Sequence, residues 1–244
     1  LFGTLNSGTG NITVNTGGDD DLIQIDNNGG TGNDGGTLDG LQDSIIINAG
    51  AGTNTLTLDD SSDLSSDTVG ITNDAAGDGT ITGLISTGPS IEFNSIATVN
   101  LNLGNTLADT VNLAANPTTA FVLDGNNPTA GPGDTLNVDA QGGTASVADN
   151  TISITGFGSV THSDFETVSI NNGGTIALVF TGTGGADTFD ITLIDADSVT
   201  FNGVTYNGVN SLTVNAGGGN DTFQVSDMAA TAAMASLAGG ITLN

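Results

Sequence analysis

Neither lysine nor arginine occurs anywhere in the 244 residues, although 27 positions are Asp or Glu and the formal net charge is −27. No internal ion pair can offset that charge, so the compact state needs a positive charge from outside the chain: metal ions, salt or a cationic neighbour. The same absence removes the side chains that meet phosphates, which excludes nucleic acid as a partner, and it leaves the Gly-rich stretches without the lysine of a phosphate loop. An anionic membrane surface would repel the chain. Cysteine is also missing, so neither disulfides nor thiol chemistry is available. Tryptophan is absent and tyrosine occurs once, which leaves little from which to build an exposed aromatic platform for sugars. No apolar run approaches the ~18 residues of a membrane-spanning helix.

What is present reads as strands and turns. Of the acids, 25 are Asp and only Glu92 and Glu166 are Glu. Disordered acidic tails are poor in β-branched and aromatic residues, whereas Ile, Val, Thr, Leu and nine Phe run through this chain. Asp, Asn and Gly favour tight turns, because short side chains hydrogen-bond their own backbone and Gly accepts positive φ. The expected class is therefore all-β and folded. Charged residues make up 11%, far below the dense acidic surface expected of a halophilic enzyme.

A repeat underlies the pattern. Residues 204–215 (VTYNGVNSLTVN) align without gaps to 160–171 (VTHSDFETVSIN) and to 91–102 (IEFNSIATVNLN), with apolar residues at places one, six, nine and eleven and Asn last. After the Asn comes a Gly-rich turn ending in Asp and an apolar strand, as in 213–225, 13–25 and 46–58, the last with Asn54 in the Asp place. The Asp-Thr-apolar core recurs at Asp109, Asp134, Asp187 and Asp221. The anchor Asn falls at 15, 48, 102, 171 and 215, too irregularly for identical rungs but compatible with a stacked helix of strands carrying insertions. From Asp187 to Asp221, 34 residues, is a plausible single coil.

The expected fold is a right-handed parallel β-helix with irregular coils over residues 1–226. The alternative is two β-sandwich domains divided near 115–150, where Pro117, Pro128 and Pro132 fall. Residues 227–239 read as a short Ala-rich helix with Asp227 as N-cap and Gly239 as stop. Residues 240–244 repeat the pattern of 10–15 and read as the start of a further repeat-like strand. That suggests a slice of a longer chain, or a subunit whose ends join the next.

The turn motif resembles the haemolysin-type (RTX) calcium repeat, G-G-x-G-x-D-x-apolar-x. Residues 216–224 fit it with Ala216 for the first Gly, and 182–190 fit it with Thr183 for the second. In that family Asp side chains from successive turns share calcium with backbone carbonyls, so the resemblance implies Ca2+ as a possible ligand. Calcium takes six to eight oxygens from carboxylates and carbonyls, and this chain offers little else. The candidate ligands are Asp19, Asp20 and Asp21 with Asp26 nearby, then Asp59 and Asp60 with Asp63, then Asp187, Asp190, Asp195 and Asp197, then Asp221. For any one of these, an Asx-turn that accepts backbone N–H groups competes with metal binding. More broadly, residues 160–225 are similar to repeats of very large secreted surface proteins of environmental bacteria. That resemblance implies an extracellular structural or adhesive role and no catalytic residues.

The chain does not read as an enzyme. A β-helical lyase similar to pectate lyases would want Arg or Lys as its base, and a hydrolase similar to polygalacturonases a Gly-His-Gly motif that the single histidine, His162, lacks. Paired acids alone could serve a glycosidase. His162 stands where the other repeats have Phe93 and Tyr206, and is expected to pack as a ring. The expected function is an extracellular, cell-surface structural protein: a segment or subunit of a filament, sheath or giant adhesin, associating with copies of itself and stabilised by divalent cations. An adhesin domain recognising a glycan or host surface, and an RTX-like segment of a secreted enzyme, are the rivals.

Overall fold

Every second residue of a strand faces the same way, and here those alternate places are apolar. In 98–102, Val99 and Leu101 are buried while Thr98, Asn100 and Asn102 are half-exposed; 45–48 and 135–139 behave alike. The strands thus have one face for a core and one for solvent. A computed structural model describes residues 10–27, 35–74, 76–85, 88–127, 133–227 and 237–244. It contains two large, mostly parallel sheets and, among the described residues, no helix.

Strands β1 (Ile12–Asn15), β2 (Leu22–Ile25), β3 (Ile45–Asn48) and β4 (Thr55–Asp59) alternate between the first and the second sheet. The next three, β5 (Thr68–Asn73), β6 (Gly79–Thr82) and β7 (Ile91–Asn94), all lie in the first sheet. Alternation resumes with β8 (Thr98–Asn102) in the second, β9 (Thr110–Ala114) in the first, β10 (Ala120–Asp124) in the second and β11 (Thr135–Asp139) in the first. The second sheet then takes β12 (Ala145–Ala148), β13 (Thr151–Ile154) and β14 (Val160–Ser163). After β15 (Thr167–Asn171) and β16 (Ile176–Thr181), a third triplet, β17 (Thr188–Leu193), β18 (Ser198–Phe201) and β19 (Val204–Asn207), joins the first sheet. Last come β20 (Ser211–Asn215), β21 (Thr222–Asp227) and β22 (Ile241–Leu243).

Pairing is parallel throughout except inside the three triplets, which are antiparallel. In each triplet the first strand lands beside a strand formed later: β5 on β9, β12 on β16, β17 on β21. The chain then walks back, so that β7 closes on β3, β14 on β10 and β19 on β15. The twelve-residue repeat turns out to mark these returns. It comprises β7 with β8, β14 with β15, and β19 with β20, so the same sequence unit crosses from first sheet to second, then second to first, then first to second. Its fifth place needs a left-handed backbone: Ser95 has φ 60°, Asp164 φ 57° and Gly208 φ 79°. Only glycine adopts this without steric cost.

The core lies along the inward faces of both sheets, and the repeat's apolar places supply it: Ile96, Phe165 and Val209 at place six, and Val99, Val168 and Leu212 at place nine, are all buried. Side-chain amides add a second set of rungs. Asn94 donates to Asn48 at 2.7 Å and Asn48 to Asn15 at 2.9 Å, and Asn244 donates to Asn215 at 2.9 Å. Three of the anchor asparagines are therefore ladder residues. Asp187 and Asp221 do stack as neighbours, with Thr188 opposite Thr222, and four strands fill the interval between them. Both sheets run without a break through 115–150, which contributes β10, β11 and β12, so one pair of sheets stands where two sandwiches were the alternative. Asp227, expected to cap a helix, ends β21, and 228–236, most of the expected helix, lie outside the described residues. Residues 241–243 form a strand beside β20. No helix among the described residues is long and apolar enough to cross a membrane.

His162 occupies the place of Phe93 and Tyr206, and all three are buried. It packs edge-on to Phe165 and against Tyr206, with ring centroids 6.4 and 6.3 Å apart. Burial pushes its pKa down to about 4, so the ring is neutral, and its Nε2 has no hydrogen-bond partner. An unmet buried polar atom costs about 1–3 kcal/mol. His162→Phe is therefore expected to raise the melting temperature by a few degrees in a thermal scan. A fall of more than about 5 °C would show that the imidazole makes a contact of its own.

Candidate metal centre

The segment that launches the first triplet carries the densest acid cluster. Leaving β4, the chain must pass the ends of β8 and β10 to reach β5. It does so through Asp60-Ser61-Ser62-Asp63-Leu64-Ser65-Ser66-Asp67, small and polar residues that favour turns. The Asp60 N–H donates to the Asn102 carbonyl at 2.9 Å, the Ser62 N–H to Gly36 at 2.8 Å, and the Asp63 N–H back to Asp60 at 2.8 Å. These bonds fold the loop over itself. One carboxylate oxygen from each of Asp60, Asp63 and Asp67 consequently lies within 4.8 Å of the others.

The surroundings oppose charge on two of these acids. Burial, then the charges of Asp67 and Asp63, push Asp60 up to about 8, against the pull of the Leu38 amide donating to its Oδ1 at 2.6 Å. Asp67 rises to about 6 through burial and the charges of Asp63 and Asp109, while its hydrogen bond with Asp60 works the other way. Asp63 is also buried, but hydrogen bonds from the Ser65 hydroxyl at 2.6 Å, from the Leu64 and Ser65 amides and with Asp39 outweigh this and hold it below the usual carboxylate value.

Asp109 lies next to this group without being one of its three members. It is 1% exposed; its Oδ1 accepts the Asp67 N–H at 2.6 Å, and its carboxylate also lies against the Gly104 amide, which acts to hold its pKa down. The Cβ that Gly104 lacks would sit 3.1 Å from the Asp63 carbonyl oxygen and 3.6 Å from Asp109 Oδ2. The Asp63 carbonyl thus packs closely on Gly104, with the Asp109 carboxylate beside it. Burial first, then the charge of Asp63, raise Asp109 to about 6. An all-oxygen donor set rich in carboxylates suits a hard divalent cation, Ca2+ or Mg2+, and not zinc.

Asp109 belongs to a longer row at the starts of adjacent strands. Asp67 N–H donates to Asp109, Asp109 N–H to Asp134 Oδ1 at 2.6 Å, and Asp134 N–H to Glu166 Oε2 at 2.7 Å. The Asp187 N–H likewise donates to Asp221 at 3.0 Å, and the Asp21 N–H to Asn54 at 3.0 Å. The recurring Asp-Thr-apolar motif is this ladder: each acid holds its neighbour's first amide.

Of the acids singled out from sequence, the structure places Asp60 in the centre, together with Asp63. Asp59 faces the other side of the turn, where its Oδ2 accepts the Gly36 N–H and its Oδ1 the Ser61 N–H. Asp19 and Asp20 are exposed, with Asp20 accepting the Thr53 N–H, and Asp21 stands half-buried with Oδ2 unpartnered. Asp187 closes its own turn onto Thr183. Asp190 is exposed on β17, and Asp195 and Asp197 are exposed in the turn after it, where Asp195 accepts the Asp197 N–H and Asp197 the Ser198 hydroxyl. Asp67 and the buried Asp109 and Asp134 escaped sequence reasoning, although their shared Asp-Thr-apolar context was the available signal. No family model matches this chain, and no curated protein or solved structure matches it either.

Proposed function

We propose that this chain is a structural element of an extracellular surface assembly, a filament, sheath or giant adhesin, in which the two sheets form a right-handed β-helix and divalent cations neutralise its acids. The single observation that carries the proposal is the Asp60–Asp63–Asp67 group, two of its acids buried and one half-buried, in a chain that contains no lysine or arginine. Protons or metal ions are the only neutralising charges available there. Calcium at the millimolar levels outside cells suits sites of moderate affinity built from loops. The stacked strands, the amide ladders and the lack of trypsin sites suit a durable material. The resemblance of 160–225 to repeats of large secreted surface proteins points the same way, as does its similarity to Gly/Asp calcium turns. In this reading the partners are copies of the chain or neighbouring repeats.

Immunogold electron microscopy on intact source cells, before and after an EDTA wash, tests this. Label is expected on the outer surface, and the wash is expected to loosen or release it. Label confined to the cell interior would overturn the proposal.

A further inference from the structure

The antiparallel triplets leave a window in one wall of the molecule. Strands of the second sheet end along this wall, and the chain crosses it to start strands of the first. Residues 164–166 make one such crossing, from β14 to β15, and 182–187 make another, from β16 to β17. Between these two, nothing among the described residues crosses. There β12 turns back into β13 at Asp149 and Asn150, and β18 turns back into β19 at Asn202 and Gly203. The two hairpin tips frame the opening.

Behind the tips lies a cavity of about 290 Å3, walled by the rings of Phe180, Phe189, Phe201 and Tyr206, with Asp149 on its rim. An apolar cavity of about 150 Å3 already holds a benzene molecule. Phe180 of the second sheet stacks on Phe201 of the first with centroids 3.7 Å apart, and the Tyr206 ring is tilted 58° to Phe180. Tyr206 is 2% exposed, and its hydroxyl has no hydrogen-bond partner among the described residues. Burial, then the charge of Asp149, pushes that hydroxyl up to about 12, so the field of the carboxylate reaches the ring. Asp149 itself is exposed, and its Oδ1 accepts the Thr181 N–H at 3.3 Å.

We propose that this cavity binds a small organic cation, an alkylammonium whose apolar groups lie among the rings and whose charge sits beside Asp149. Ring faces attract cations, most strongly where water is excluded. The chain has no lysine or arginine to fill the cavity itself, and its net charge of −27 draws cations toward it. A neutral apolar guest would leave the carboxylate unanswered. A hard metal ion needs a shell of oxygens and would meet one carboxylate and four rings. The site shares no residue with the Asp60–Asp63–Asp67 centre, so it stands apart from the structural role proposed above.

The test compares choline with its neutral isostere, the alcohol in which a carbon atom replaces the charged nitrogen. Each is titrated into the full chain in EDTA, with sodium chloride holding the ionic strength constant, and followed by calorimetry and tyrosine fluorescence. Tyr206 is the only tyrosine and tryptophan is absent, so the emission reports on the cavity. Choline is expected to saturate one site and change the emission, and the isostere to bind at least tenfold more weakly. Asp149→Asn keeps an oxygen for the Thr181 N–H and suits the left-handed backbone there, φ 51°. It is expected to fold as wild type does and to bind choline at least fivefold more weakly, with the isostere unaffected. Choline that fails to saturate, that binds no more tightly than the isostere, or that binds Asp149→Asn as tightly as wild type would overturn the proposal.

Discussion

In EDTA, the melting temperature is expected to fall as pH rises from about 4.5 to about 8, and saturating calcium is expected to lessen the fall. Asp60 at about 8, Asp134 at about 7, and Asp67 and Asp109 at about 6 all lie above the ordinary carboxylate value of 3.8. Across this window the folded protein binds more protons than the unfolded chain. Stability therefore declines with rising pH, the reverse of the usual behaviour of paired carboxylates. Each pKa unit corresponds to about 1.4 kcal/mol. The buried, neutral His162 works the other way below its ordinary value of 6.5 but is one group against four, so the melting temperature falls by several degrees across the window. An ion that binds only the folded state replaces the protons and adds stability in proportion to the logarithm of its concentration over its dissociation constant. Scanning calorimetry at several pH values, with EDTA and with calcium, gives both curves. Identical curves, or an EDTA curve that rises with pH, would remove the metal from the account.

The second large effect is a change of sign in one variant. Asp60→Asn keeps an oxygen for the Leu38 amide and offers Asp67 a permanent N–H donor in place of the O–H that Asp60 has only while protonated. In EDTA at pH 8 the variant should melt a few degrees above wild type, because a buried like-charge contact has gone. In calcium it should melt below wild type, because the ion has lost a ligand; at about 100 times the wild-type dissociation constant that loss approaches 2.7 kcal/mol. The two melting curves must therefore exchange order when calcium is added. A variant less stable by the same amount in both buffers would make Asp60 a packing residue only.

Much of the architecture was legible in the chain. Alternation such as Val99–Leu101 identified strands, and the repeat identified core places that are indeed buried at Phe93, His162 and Tyr206. The changes of sheet were not legible. A strand such as Val160–Ser163 carries the same pattern whichever sheet it joins, and nothing local says that β12 will skip forward to β16. The acids divide for a related reason. Asp19, Asp20 and Asp21 form a conspicuous run, but Asp19 and Asp20 stay solvated on an exposed turn and only Asp21 turns partly inward. Asp67, Asp109 and Asp134 stand 42 and then 25 residues apart and become neighbours only through the register of β5, β9 and β11.

The three antiparallel triplets also bear on how such a structure can form at all. A parallel pair such as β4 and β8 joins residues that are far apart in sequence, which makes its formation slow. Within a triplet the partners are local: Asp149 and Asn150 alone separate Ala148 of β12 from Thr151 of β13. Hairpins of this length close within about 1–10 μs. Each triplet can therefore assemble before any distant strand arrives and present two ready edges, one to the strand already made and one to the strand still to come. Folding can then start at three seeds along the chain and spread outward from each, instead of waiting for one end to propagate to the other.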